Sequence, residues 1–129
     1  MNEREIQAGL AATPGYQYAQ QVGNQLIVAG QVPHDANGNL VGLGNPQAQT
    51  IQCLQNLQTL MRLYGFRDRD IRHLRIYVVG DRDALTDAWQ AVTDWFNNAV
   101  PPATLLGVNL LGHENQLVEI DATIIRDRP

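Results

Sequence analysis

The sequence predicts an α+β sandwich, a mixed six-stranded sheet with two helices packed on one face. Three observations predict it. Two long stretches, roughly 46–64 and 84–97, carry apolar residues at helical spacing. Shorter β-branched runs flank them, and glycine, proline or asparagine marks most junctions. With 129 residues, 44% apolar and 17% charged, the chain has the length and balance of one folded domain.

Residues 1–15 are polar or small and end in Thr13-Pro14-Gly15, which predicts a loosely held leading segment before a single domain over 16–129. Residues 16–22 and 25–29 read as two strands joined by Gly23-Asn24, a hairpin. Asp35-Ala36-Asn37-Gly38 is a second turn, leading to a short strand at 39–41. Asn45-Pro46 reads as an N-cap followed by proline at the first helical position. From there Ile51, Leu54, Leu57, Leu60, Met61 and Tyr64 form one apolar stripe, and Gly65 supplies the stop. Residues 71–79 return to strand. A second helix follows, with Leu85, Ala88, Trp89, Val92, Trp95 and Phe96 on one face. Pro101-Pro102 breaks the chain, and strands at 104–111 and 116–125 close it.

Composition excludes several chemistries. The chain holds no serine and no lysine, so a serine nucleophile, a Schiff-base lysine and a phosphate-loop lysine are all absent. Its single cysteine, Cys53, forms no internal disulfide and reads as a packed thiol. Net charge is −4, and the nine arginines show no basic stripe, so a nucleic-acid partner is not expected. No apolar run approaches the ~20 residues of a membrane span, and the leading residues lack a signal-peptide pattern. A soluble, cytoplasmic protein is the expectation. His34, His73 and His113 share no ligand spacing and read as surface residues; no metal site and no cofactor are expected.

The segment Leu105-Leu106-Gly107-Val108-Asn109-Leu110-Leu111 is apolar at both parities, yet two helices cover only one face of a sheet. A second subunit on the other face is the expectation; a half-solvated sheet with a few exposed leucines is the alternative. In the last strand Glu119, Asp121 and Thr123 share a face, ~7 Å apart in succession. Two carboxylates so spaced serve either as an acid–base pair bordering a cleft or as a solvated face.

A set of segments spread over the chain from Tyr16 onward resembles the Rid family, the RidA/YjgF-type proteins once called L-PSP endoribonucleases. They are Tyr16 with Ala19, Val22-Gly23-Asn24, Val28-Ala29-Gly30-Gln31-Val32-Pro33, Asn37-Gly38-Asn39-Leu40-Val41 and Gln49-Thr50. Asn56-Leu57, Gly65, Ile76-Tyr77-Val78, Pro101-Pro102-Ala103-Thr104, Gly107-Val108 and Val118-Glu119-Ile120 follow in order. The resemblance implies a chorismate-mutase-like subunit, a homotrimer with a small-molecule pocket at each subunit interface, and hydrolysis of reactive imines or enamines.

Carried over by residue, Tyr16 and Gly30 line that pocket and Glu119 positions water. The family's carboxylate-gripping arginine does not carry over: its place falls on Thr104 or Ala103, and the cysteine after it falls on Leu105 or Leu106. An asparagine of the second helix is replaced by Trp89. Ala103, Thr104 and Leu105 therefore stand as the substrate-binding candidates beside Tyr16 and Gly30, with Glu119 the catalytic one. Hydrogen bonds to charged groups contribute ~1.5–3 kcal/mol each. Losing the arginine weakens a small carboxylate roughly 10- to 150-fold at ~1.4 kcal/mol per decade. A ligand less anionic than a short imino acid is expected, turned over or merely bound. Arg75 is either a replacement cation or the ion-pair partner of Asp68 or Asp70.

Overall fold

A computed structural model describes residues 2–128; Met1 and Pro129, the outer bounds of the two predicted stretches, lie outside the described residues. Two β–α–β crossovers interlock to build it. Strands β1 (Ala19–Val22) and β2 (Gln25–Val28) form the hairpin, with Val22 opposite Gln25 across Gly23-Asn24. Helix α2 (Pro46–Leu63) leads to β3 (Ile71–Val79), helix α3 (Arg82–Trp95) to β4 (Ala103–Val108), and β5 (Val118–Ile125) ends the sheet. The sheet order is β1-β2-β5-β3-β4. The last strand thus inserts between β2 and β3, antiparallel to both, while β3 and β4 run parallel through α3.

The caps lie where the sequence puts them. The Asn45 side chain accepts from the Ala48 N–H at 3.0 Å, with Pro46 opening α2. Gly65, at φ +81°, ends that helix, and the Phe66 N–H donates to the Met61 carbonyl. Asp81 caps α3 by accepting from the Ala84 N–H. Between helices and sheet lies one core. Cys53, Leu54, Leu57 and Met61 of α2 meet Leu74, Ile76 and Val78 of β3, and Val118, Ile120 and Ile124 of β5. Burial alternates along β5 and, past a register shift at Ile71–His73, along β3 from Leu74 onward, and the opposite face carries no helix among the described residues.

Four details differ from the sequence reading. The sheet has five strands, not six. The stretch 39–41 contributes only an isolated bridge between His34 and Leu40, because the Asp35 carboxylate accepts from the Asn37 and Asn39 N–H groups and holds a turn there. Strand β1 starts at Ala19 and β4 ends at Val108, leaving Leu110 84% exposed. Ile51 leaves the apolar stripe and is exposed.

The leading segment is packed against the fold and contains a third helix, α1 (Glu3–Gln7). A five-residue helix is far too short to stand alone. Tertiary contacts hold it: the Tyr64 hydroxyl donates to Glu5 at 2.6 Å, and Arg4 lies over the Tyr64 ring at 4.7 Å. Leu10 packs with Leu60 and Tyr18, whose hydroxyl donates to the Ala11 carbonyl.

Candidate functional site

Strand β5 turns Ile120 into the core and Glu119 onto the open face, where Glu119 lies opposite Tyr77 of β3. Just past β2, Gln31 bridges Ile120 through two backbone hydrogen bonds, Gln31 N–H to Ile120 at 2.7 Å and the reverse at 3.1 Å. That bridge brings Gly30 beneath the Glu119 side chain. A Cβ at position 30 would stand 2.8 Å from the Glu119 carboxyl carbon, so only glycine leaves the carboxylate where it is. The buried Gln116 amide donates to Glu119 at 3.2 Å and to the Val118 carbonyl at 3.0 Å. Burial, and then the Glu119 charge, raise the Tyr16 phenol above its ordinary value.

A crevice of about 310 Å³ runs from Tyr16 along the β1–β2 hairpin, with Ala19, Ile27 and Ala29 among its walls. Of the three residues expected to work together, Gly30 and Glu119 are in contact, and Tyr16 lines the crevice that reaches Ala29, the residue before Gly30. Cys53 is fully buried. Burial and then Glu119 push its thiol well up, and it donates to the Val118 carbonyl, as an inert packed thiol does.

Ala103 and Leu105 do not belong to this region. Ala103 pairs with Leu74 and Leu105 with Ile76, so both face the helices and pack against the core. Thr104, of opposite parity, does reach the open face, its Oγ1 2.9 Å from His73 Nε2. It sits two strands from β5 and two residues out of register with Glu119, roughly 12 Å away by strand spacing.

Between Thr104 and Glu119 runs a polar network that the sequence reading did not anticipate. Arg75 Nε donates to Asp121 in a salt bridge, and its Nη1 donates to Thr123 at 3.2 Å and to His73 Nδ1 at 2.9 Å. The Tyr77 hydroxyl donates to the other Asp121 oxygen at 3.0 Å. Since a guanidinium only donates, His73 Nδ1 accepts, and Nε2 carries the proton given to Thr104. His73 is thus a bridge rather than a loose surface residue, and the partner of Arg75 is Asp121 rather than Asp68 or Asp70. Alternation of His73, Arg75 and Tyr77 against Glu119, Asp121 and Thr123 was visible; the register that joins them was not. Arg75 is already engaged by a carboxylate, so it is no ready substitute for an anion-gripping arginine.

His34 and His113 also meet, their rings edge-to-face with centroids 4.6 Å apart. Burial and then His113 lower the His34 pKa. The His113 N–H donates to Gln116, which links this pair to the Glu119 support. Among the described residues no three His, Cys, Asp or Glu side chains are grouped to hold a metal ion.

The sequence model of the family described as endoribonuclease L-PSP matches residues 6–126. The chain belongs to this family, the Rid or YjgF group. A RutC family protein of Sulfurisphaera tokodaii is 29% identical over 105 residues, covering 81% of this chain and 82% of that one. A RutC family protein of Pyrococcus horikoshii is 25% identical, with 87% of each chain covered. A solved Thermotoga maritima structure is 27% identical with a TM-score of 0.80, over 95% and 94% of the two chains. The YjgF gene product of Escherichia coli shares the fold at a TM-score of 0.80 and 24% identity, over 92% and 94%. The Rid fold thus spans nearly the whole chain. No helix among the described residues is long and apolar enough to cross a membrane.

Proposed function

We propose that this Rid-family chain works as a homotrimer and hydrolyses a reactive imine or enamine that carries no short free carboxylate. The observation that supports the reading is the Glu119 carboxylate set over Gly30 and steadied by Gln116, with the crevice lined by Tyr16 and Ala29 alongside. A trimer would close the crevice beside Tyr16 with the open face of a neighbouring copy. The roughly 12 Å between Thr104 and Glu119 in one chain is then bridged by Thr104 of an adjacent subunit.

In this scheme Glu119 holds a water and takes a proton from it as the oxygen bonds to the C=N carbon. The nitrogen gains a proton, the carbinolamine collapses, and the C–N bond breaks to leave a carbonyl and an amine or ammonia. Tyr16, kept protonated, is a donor toward the substrate. No cofactor or metal enters the balance. Neutral or iminium substrates suit the site because Glu119 and Asp121 face a single cation, Arg75, which is spent on Asp121. A cytoplasmic setting, where such imines are released by other enzymes, fits the unpaired Cys53. Binding without turnover is the competing reading, favoured by the missing arginine.

The test supplies carboxylate-free imines with an amine oxidase and imino acids with an amino-acid oxidase, adds the purified protein, and traps surviving imine with semicarbazide. Imines lacking a carboxylate should decay faster with the protein present, and Glu119→Gln should reduce that acceleration at least about 100-fold. Equal turnover by Glu119→Gln removes Glu119 from the mechanism. Rapid loss of the imino acid from alanine overturns the substrate assignment, and no acceleration of any imine leaves binding as the function.

A further inference from the structure

A second site lies at the other end of β5. Seven residues beyond Glu119, roughly 23 Å by strand rise, the chain leaves the sheet at Arg126. There Arg126 and Arg128 come beside Arg67 and Arg69, which enter from the connection between α2 and β3. The four arginines, with Gly65, Asp70 and Asp127, line a crevice of about 300 Å³. Four of the chain's nine cations thus gather in one place on a molecule whose net charge is −4.

The two acids of the crevice are already occupied. Asp70 is buried and accepts from the Arg67 backbone N–H at 2.8 Å, and Asp127 pairs with Arg72 at 2.9 Å. Among the described residues the salt bridges are Arg72 with Asp127 and Arg75 with Asp121. No described carboxylate therefore comes within 4.0 Å of a guanidinium nitrogen of Arg67, Arg69, Arg126 or Arg128. Arg126 is the fixed member: its guanidinium lies 4.5 Å from the centre of the Phe66 ring, and Nη1 donates to the Gly65 carbonyl at 3.4 Å. Its Nε–H is buried with no hydrogen-bond partner.

Like charges held this close repel one another, and that repulsion is relieved when an anion enters. Guanidinium groups present planar forks that match phosphate oxygens two at a time. The lining carries a net charge of +2, which a phosphoryl group neutralises. About 300 Å³ holds one or two phosphoryl groups with a small organic fragment, and no more. We propose that the crevice formed by Arg67, Arg69, Arg126 and Arg128 binds a small phosphate-bearing metabolite, independently of the Glu119 site.

The test is a calorimetric titration of the full chain with inorganic pyrophosphate at low ionic strength. Saturable binding of one pyrophosphate per chain is expected. The double change Arg67→Gln with Arg128→Gln, both at exposed positions, should weaken it at least about tenfold and leave the melting temperature in place. Arg126→Gln should abolish it, and loss of Phe66 stacking is then read separately from the melt. Glu119→Gln should leave pyrophosphate binding unchanged, whatever becomes of the imine reaction. Undiminished affinity in the double variant overturns the site. Equal binding of sulfate at matched ionic strength reduces it to general anion attraction and overturns it too. Competition by a short oligouridylate that binds more tightly than pyrophosphate assigns the crevice to RNA instead of a small ligand.

Discussion

The two faces of the sheet are made from the same strands and behave as two different materials. On the helix side, Leu74, Ile76, Val78, Val118 and Ile120 are all 0% exposed and contact one another and α2. On the other side, residues one position away are polar or charged and half-buried: Arg75 and Tyr77 bind Asp121, and Glu119 accepts from Gln116. Apolar residues occur there too, with Ile27 at 56% and Leu106 at 39% exposed. Packing alone fixes the first face. The second is fixed by pairing of specific polar atoms, which specifies geometry rather than bulk stability and suits a surface that meets a partner or a ligand.

Truncating one residue on each face gives the largest contrast. Ile76→Ala removes a fully buried side chain from the middle of β3 and should cost about 2–5 kcal/mol in urea denaturation. Leu106→Ala, on the open face, should cost less than about 1 kcal/mol in dilute protein where subunits are apart. If the trimer forms, the Leu106 penalty grows with protein concentration. Equal costs at every concentration would erase the distinction between the faces.

Breaking the polar pairing comes next. Asp121→Asn leaves Arg75 without its carboxylate and Tyr77 with a weaker acceptor. A loss of about 1–2 kcal/mol is expected, above an exposed ion pair and within the range of charge-assisted bonds. A double-mutant cycle with Arg75→Gln should recover most of that as coupling. Additive losses would mean that the contact contributes nothing.

Gly30→Ala should change stability little, within about 1 kcal/mol, because the three atoms nearest the added Cβ all belong to the Glu119 side chain, which can swing away from Gln116. That displacement is the useful part. Ligand turnover or binding at the Tyr16 crevice should fall as far as it does in Glu119→Gln, in a protein that melts normally. An unaffected site would show that the position of Glu119 is not held by Gly30.

These contrasts also explain what the sequence discloses. Helices α2 and α3 were legible because their caps and apolar periods are local, and β3 and β5 because apolar and polar residues alternate along most of their length. Helix α1 was not, since five residues with a buried Glu5 carry no period and depend on Tyr64, nearly sixty positions away. Gly30 and Glu119 were recognised through family resemblance. Ala103 and Leu105 were drawn into the site by their place near the lost arginine, and only the pairing with Leu74 and Ile76 turns them inward. The Arg75–Asp121 bridge depends on β5 inserting beside β3, a choice of strand order that no local pattern encodes.

The smallest effect expected is the pH response of the loop pair His34 and His113, which adjoins Gln116 and through it the open face. Burial and the neighbouring ring lower the folded-state pKa of His34 from its ordinary 6.5. A lowered pKa means the unfolded chain takes up the proton first, so this group favours folding above pH 6.5 and loses that contribution as pH falls below it. Stability of the wild-type protein should therefore decline slightly faster than that of His34→Asn on acidification below about pH 6.5. Parallel curves for the two proteins would detach the histidine pair from the open face. A difference that also shifts the acid limb of the proposed imine hydrolysis would tie them together through Gln116, the residue that touches both.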